Sequence, residues 1–587
     1  MWLLAFLVWF LSWAGGMYWY LCGRPSPFSE DCVKPAGPME LNQKKRDKLL
    51  KQGEWMMSLS MHWLIYQKSK MPLKRLHYVG QLHENSLFKI IFDQITEGQL
   101  EFAELDQHFD TVVIGTGKET REYTICSGKT EMEEHLKKQF PDDTEAIEEF
   151  FKIMKLSARK TPYLAALKLI PEWLALFLVR SGLANLYSSA FQLLSMNATD
   201  LVEKLTSNKD LQVIFAYYFY GTPPRDSSSL INALMLHHFK RGAYYPKGGA
   251  SEIPYHITKV IQKYGGNVLV RAPVSQILVD SQGAAYGVAV KKGKEEIEVR
   301  APVVISNCGI FNTFKRLLPP EIQVKPEIQK RLDMVRPGKG SLLLFSGFDG
   351  TAEELGISAV SRWVFKNNDM DAMLVLMQFF FYHIEGFSVS KILGKEEAPE
   401  NIPMMFVTFP SPKDPMSQIR HPGKSCMTIL TMVNYEWFEE WKDTPVKRRG
   451  ADYVEYKNRF AKHLFDWACV LYPKLREKLV FQDVATPLTN NFYLGSYRGA
   501  IYSTDHNLDR YHMDIMAKNR CETPVKNLYV SGQDMFSCGI IGALHGGLMC
   551  ASRVLGRMVY IDLLVLKKKL KKRKALELAA LTEKKLQ

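Results

Sequence analysis

Asn527-Leu528-Tyr529-Val530-Ser531-Gly532-Gln533-Asp534, followed by Ser537-Cys538-Gly539-Ile540-Ile541-Gly542-Ala543-Leu544-His545-Gly546-Gly547, is the stretch on which the fold turns. Leu528, Tyr529 and Val530 favour a strand and run into a Ser-Gly turn, so they read as a short buried strand with a carboxylate at its end. Small residues then open an apolar run that continues through Leu548, Met549, Cys550 and Ala551 to Leu555 and reads as a helix. Glycines at a helix start let backbone N–H groups come close to a phosphate or a ring oxygen. A carboxylate at the strand end is placed to accept a sugar hydroxyl. Tight helix–strand packing also uses glycines, and the pattern alone leaves both readings open.

Working outward, Arg241-Gly242-Ala243-Tyr244-Tyr245-Pro246-Lys247-Gly248-Gly249 precedes a helical stretch from Ser251 to Tyr264 and then Gly265-Gly266. Strand-like runs follow at Asn267 to Arg271, Val274 to Asp280, Ala285 to Lys291, Glu296 to Arg300 and Val303 to Ser306. Their alternation and the Ser281-Gln282-Gly283 turn predict a meander beside a nucleotide-type sheet. A competing match, Val112-Val113-Ile114-Gly115-Thr116-Gly117, has Thr120 where a third glycine is needed, and no apolar helix follows it. Two strands joined by a Gly-Thr-Gly turn explain it better than a dinucleotide site.

On these motifs the chain resembles the retinol saturases, FAD-dependent reductases of the phytoene-desaturase and carotenoid-isomerase kind. The likeness spans roughly residues 76 to 560 and includes Phe92 to Leu100, Tyr435 to Trp441 and Pro487 to Gly499. It implies an α/β fold: a Rossmann-like FAD/NAD(P)-binding flavoprotein sheet joined to an α+β substrate domain. It places Asp534 against the ribityl and pyrophosphate part of FAD, with Gly532, Gly539 and Gly542 at the helix that approaches the flavin. Gly248 and Gly249 would belong to the flavin domain, and the Val274 backbone would contact adenine. The implied reaction is saturation of the 13,14 double bond of all-trans-retinol to all-trans-13,14-dihydroretinol, with NAD or NADP as the candidate electron source. His238, Tyr244 and His545 are candidate proton donors, and each reads equally well as a structural polar group.

The resemblance also implies a strand ending in Gly-x-Gly-x-x-Gly near the N-terminus, a helix, and a second strand ending in an acid. Instead the chain passes from a charged lead, Met39 to Lys51, into Glu54 to Tyr66, with neither the glycines nor the acid. A βαβ unit of about thirty residues is replaced by a short unrelated stretch. The expected sheet is therefore incomplete, and a flavin-free, inactive form of the same family is the alternative reading. A related carotenoid desaturase or isomerase is a third. The apolar run Phe379-Phe380-Phe381-Tyr382 also has no counterpart in the family pattern.

Nine cysteines occur without a Cys-x-x-Cys pair, which argues against a disulfide framework and a zinc site. The net charge of +14 comes with basic clusters and does not imply nucleic acid, because anionic lipid is an equally good partner for a basic surface. Residues 2 to 22 carry no charge, and at about 1.5 Å per residue they approach the roughly 30 Å of a bilayer core. A membrane anchor, a cleaved signal peptide and a buried helix are the three readings. The basic tail, 561 to 587, has seven cations between Lys567 and Lys574 and ends in Lys584-Lys585-Leu586-Gln587, which looks like a dilysine retrieval signal. The sequon Asn197-Ala198-Thr199 would matter only in a lumenal chain. Both signals point to the endoplasmic reticulum membrane.

The expected organisation is an anchor or signal (1–23), an atypical segment (24–76), substrate-domain parts (77–235 and 321–485), flavin-domain parts (236–320 and 486–560) and the tail. Thr161 to Ile170 and Trp173 to Val179 are apolar but broken by Pro171-Glu172, so a core or a lipid-facing entry surface is expected there rather than a span. Retinol or a related polyene lipid and a membrane surface are the expected partners.

Overall fold

The computed structural model describes residues 11–12, 15–16, 25–39, 76–183, 190–218, 221–270, 272–375 and 393–586. Most of the apolar N-terminal segment, the stretch from 40 to 75 and the Phe379–Tyr382 run lie outside the described residues. Among the described residues no helix is long and apolar enough to cross a membrane.

Along the chain, β1 (Val79–Gly80) leads into α1 (Leu87–Thr96), then β2 (Phe102–Glu104), β3 (His108–Ile114) and β4 (Arg121–Cys126). Helices α2 (Thr144–Leu169), α3 (Glu172–Arg180) and α4 (Ser229–Phe239) come next, followed by β5 (Ala243–Pro246) and α5 (Glu252–Lys263). A run of short strands follows: β6 (Val274–Val279), β7 (Ala285–Lys292), β8 (Glu295–Arg300) and β9 (Val304–Ser306). Strands β10 (Ser341–Asp349), β11 (Ser361–Phe365), β12 (Met404–Thr408) and β13 (Lys424–Met432) precede α6 (Gly450–Leu471) and β14 (Leu479–Ala485). The chain closes with β15 (Leu528–Val530), α7 (Gly539–Val554) and α8 (Val559–Leu586).

A seven-stranded mixed sheet, ordered β14-β10-β13-β12-β11-β3-β4, is the largest element. Residues such as Leu342, Leu344, Phe345 and Phe348 of β10 are buried on both faces, because helices and loops cover the sheet on each side. The segment beginning Val112 falls here. Gly115 (φ 98°) and Gly117 (φ 60°) turn β3 back into β4, with Ile114 opposite Arg121. A Cβ on Gly115 would stand 2.6 Å from the Glu119 carbonyl oxygen, so this glycine serves a tight turn and not a phosphate.

The expected meander is present as the antiparallel sheet β6-β7-β8, and β9 pairs in parallel with β15. Val304 N–H donates to Asn527 O at 2.9 Å, and Ser531 N–H to Ser306 O at 2.9 Å. The other edge of β15 is closed by its own preceding loop: Val530 N–H donates to Cys521 O at 2.8 Å, and the Thr523 hydroxyl donates to Leu528 O at 2.9 Å. Parallel strands normally sit in larger sheets covered on both faces, and here only two strands form the parallel sheet among the described residues. The strand expected at Asn267 to Arg271 does not form; residues 267–270 lie outside any ladder, with Leu269 exposed. A strand needs a hydrogen-bonding neighbour, and none stands beside it among the described residues. The architecture is α/β, with a partial nucleotide-type sheet beside a larger mixed sheet.

Candidate functional site

Between the seven-stranded sheet and the start of α7 lies a chamber of about 820 Å³, within the range of pockets that bury small organic ligands. Its walls are mostly apolar. The sheet end is formed by Leu343, Trp363, Phe406 and Leu430, and the opposite end by residues 539 to 543 at the start of α7. The C-terminal half of α2, from Ala158 to Ile170, and the α4 residues Leu234 and Met235 make side walls. Met558, Ile561 and Leu564 at the start of α8 line the far rim.

Two glycines of α7, Gly542 and Gly546, are required by close approach. A Cβ on Gly542 would meet the Ser537 carbonyl oxygen at 1.7 Å, and one on Gly546 would meet the Gly532 carbonyl oxygen at 2.0 Å. The helix thus packs against the strand-to-helix turn with no space for a side chain. Gly539 differs: its φ is +69°, and a Cβ there would meet nothing within 4 Å. It lies open to the chamber. Gly532 (φ +90°) packs against Asn307, whose Oδ1 would lie 2.1 Å from an added Cβ.

Asp534 is almost fully buried. Its Oδ2 accepts from Ile310 N–H at 2.8 Å and from the Ser503 hydroxyl at 2.7 Å. Its Oδ1 accepts from the Thr504 hydroxyl at 3.1 Å. The carboxylate therefore ties β15 to the turn after β9 and to the 503–504 loop, and it does not line the chamber.

The other expected cofactor residues are scattered. Gly248 donates its N–H to Asp414 Oδ1 at 2.8 Å and accepts from Arg420 at 2.5 Å. Gly249 is the next left-handed residue (φ 90°) of the same turn. Val274 opens β6 opposite Val290. Of the seven expected cofactor residues only Gly539 and Gly542 line the chamber.

Of the candidate proton donors, His238 and His545 line it and Tyr244 does not. His238 Nε2 lies 2.9 Å from Gly80 N–H, which can only donate, so Nε2 accepts and the neutral ring carries its proton on Nδ1. Burial, with His237 and His545 adding to it, drives the His238 pKa down to about 3. Burial alone takes His545 down to about 4, and its Nδ1 lies 2.6 Å from the Tyr560 hydroxyl. Both rings are neutral near pH 7, so neither offers an imidazolium proton.

A second group of polar side chains was not singled out by the sequence. Asp110 lies wholly inside β3, and the Tyr78 hydroxyl reaches its two oxygens at 2.8 and 2.7 Å. Tyr217 donates to the same carboxyl at 3.2 Å. Tyr78 and Tyr218 line the sheet end of the chamber beside Trp363. Burial pushes the Asp110 pKa up to about 7, against the pull of Tyr78 and Lys413. The only sequence signal was an acid inside the apolar strand Phe109-Asp110-Thr111-Val112-Val113.

No family model matches the chain. It is similar to the inactive all-trans-retinol 13,14-reductase of Danio rerio, 46% identical, with 97% of this chain and 98% of that protein covered. The all-trans-retinol 13,14-reductase of the same organism is 38% identical over 95% of this chain and 97% of its own. Among solved structures, an oxidoreductase from Methanosarcina mazei aligns with a TM-score of 0.47 at 13% identity, covering 81% of this chain and 86% of that one.

Proposed function

The chain belongs to the family of all-trans-retinol 13,14-reductases, and from that premise we propose that it is an FAD-dependent oxidoreductase that saturates the 13,14 double bond of all-trans-retinol. The observation that carries this reading is the apolar chamber of about 820 Å³ that ends on the glycine-opened start of α7. An elongated polyene needs such a lining, and its hydrophobic burial supplies most of the binding.

The residues present fit the ring end of a flavin. The backbone at Gly539 is open and left-handed, and the start of α7 faces the chamber. A reduced flavin held there would supply hydride chemistry toward an alkene carbon. The chain's own residues hold the polyene between sheet and helix, exclude water and provide the proton for the other carbon.

The phosphate end of the cofactor is a different matter. The β15 edge where another parallel strand would pair is filled by Cys521 and Thr523, and the sequence from 40 to 76 holds no Gly-x-Gly-x-x-Gly. These observations favour a second reading, a retinoid-binding member that holds no flavin.

Purification of the full chain from membranes in detergent, with flavin absorbance and retinol turnover recorded using NADH and NADPH as donors, separates the two. Stoichiometric FAD and 13,14-dihydroretinol are the expected result. A folded chain that quenches bound-retinol fluorescence but carries no flavin establishes the second reading. Failure to bind retinol in either state removes both.

Exposed apolar side chains on α3 and α8 support a membrane setting, which we propose is the endoplasmic reticulum. Trp173 (71% exposed), Phe177, Leu564 and Val565 are apolar and open to solvent on α3 and α8, and the cations from Lys567 to Lys574 follow on α8. Apolar anchors with adjacent lysines suit an anionic interface. Binding to vesicles containing phosphatidylserine should exceed binding to phosphatidylcholine vesicles and fall with salt. Equal binding to both would remove the electrostatic part of this reading.

A further inference from the structure

We propose that His545, held by Tyr560, seats the terminal hydroxyl of the polyene alcohol and so fixes which double bond is presented at the start of α7. The inference rests on the reductase reading above and names the group that sets its specificity.

A polyene buried in a mostly apolar chamber is held by a non-directional force and can slide along its own length. A fixed register needs a placed polar contact. His545 supplies one. Its Nδ1 lies 2.6 Å from the Tyr560 hydroxyl, and that hydroxyl also reaches the His545 carbonyl oxygen at 3.3 Å. Three aromatic rings pack around the imidazole, with centroids 4.7 Å (Phe536), 5.4 Å (Phe88) and 5.8 Å (Tyr560) away. These contacts fix the orientation of the ring. Nε2 is left without a hydrogen-bond partner among the described residues, on a side chain that is only partly buried and lines the chamber. Neighbouring polar groups are already engaged. His238 uses Nε2 on Gly80 N–H, and Gln81 lies 3.1 Å from His237 Nδ1. Gln533 Oε1 accepts from Gly539 N–H at 3.3 Å.

The chemistry of Nε2 matches an alcohol. When the Tyr560 hydroxyl donates to Nδ1, the ring proton sits on Nε2, which donates. When Nδ1–H donates instead, the Tyr560 hydroxyl turns to the carbonyl oxygen and Nε2 accepts. An alcohol both donates and accepts, so it meets either tautomer. A carboxylate only accepts, and burying its charge beside a neutral imidazole is costly. A hydrocarbon end makes neither bond.

Position on α7 accounts for the choice of double bond. Gly539, Gly542 and His545 recur every three residues, share one face of the helix and all line the chamber. A helical side chain leans toward the helix N-terminus, which for His545 is the direction of Gly542. In retinol the carbon bearing the hydroxyl is bonded directly to one carbon of the 13,14 pair. An alcohol held at Nε2 therefore makes that double bond the nearest one to the glycine-opened turn.

The test titrates the full-length detergent-purified protein with three ligands, read by quenching of tryptophan emission. They are all-trans-retinol, the analogue with CH₃ in place of CH₂OH, and retinoate. This readout needs neither flavin nor turnover. The wild type should bind retinol about five-fold more tightly than the hydrocarbon, the contribution of one net hydrogen bond, and more tightly than retinoate. His545→Phe should abolish the alcohol preference while hydrocarbon affinity stays at the wild-type value, which reports an intact chamber. His545→Leu repeats the measurement should the larger ring prevent folding. His545→Gln, whose amide donates and accepts, should restore part of the preference, and Tyr560→Phe should weaken it through the loosened ring. With reduced flavin bound, His545→Phe should saturate other double bonds alongside the 13,14 bond. An alcohol preference that survives in the apolar variants, or is missing from the wild type, overturns the seat and leaves the reductase reading intact. Product confined to the 13,14 bond in His545→Phe overturns its role in choosing the bond. A wild type that binds retinol without flavin sinks the reductase reading, and the binding ratios then decide the seat alone. No polyene binding in the wild type overturns both.

Discussion

Gly542→Ala should destabilise the protein by about 1–3 kcal/mol, the usual cost of forcing a methyl into a filled core, and should abolish ligand retention at the start of α7. The added Cβ would stand 1.7 Å from the Ser537 carbonyl oxygen and 2.2 Å from its carbon. Those atoms are backbone, so no side-chain rotation relieves the clash. Either α7 slides away from the 537–538 turn or the turn moves into the chamber, because Ser537 and Cys538 themselves form part of its wall. Both movements change the surface on which a ring system would rest. The thermal midpoint and the amount of retinol and flavin that co-purify measure the two effects separately. A midpoint and ligand content equal to wild type would show that the approach of helix to turn is looser than described. Gly547→Ala is the matched control, since a Cβ there meets nothing within 4 Å.

The second large effect concerns Asp534. Removing its carboxylate by Asp534→Ala strands three donors, Ile310 N–H, Ser503 Oγ–H and Thr504 Oγ–H. A buried donor without a partner costs about 1–3 kcal/mol, and entering water would offset part of the sum, so a loss of about 3–5 kcal/mol is expected. Asp534→Asn should cost far less. Its amide oxygen can take the place of Oδ2, which accepts from two donors. Its NH₂ then faces Thr504, whose oxygen already accepts from Arg510 and has capacity to accept again. Denaturant unfolding of the two variants tests the ordering. Equal losses would mean that the negative charge, and not the hydrogen-bond geometry, holds the 503–504 loop. If Asp534 also meets a ribityl hydroxyl, as the family resemblance implies, Asp534→Asn should fold normally and bind flavin less tightly.

The two variants illustrate what could be read without coordinates. The strand at Leu528–Val530 and the helix opening at Gly539 were legible because local signals agreed there: β-formers before a glycine, then small residues before an apolar run. The same holds for the meander from Val274 and for the Gly115-Thr116-Gly117 turn, where the missing helix ruled out a phosphate loop. Asn267 to Arg271 was misread as a strand for an equally physical reason. Propensity describes the residues of a strand, whereas a strand exists only when a neighbour takes up its hydrogen bonds.

Which residues meet was not legible at all. Gly248, Gly249 and Val274, which the family resemblance groups with Gly539 and Gly542, stand away from the chamber, while Tyr78, Asp110, Tyr218 and Lys413, drawn from four separate segments, converge. Sequence by itself determined the family, the α/β class, the glycine-opened α7 and the lack of a second glycine-rich loop, because each depends on residue types at short separations. The tertiary structure alone decided that Asp534 is a tie between loops, that the chamber histidines are neutral, and that a buried acid is linked to the chamber wall. Those properties depend on desolvation and on partners hundreds of residues apart, and neither is written in any local stretch of chain.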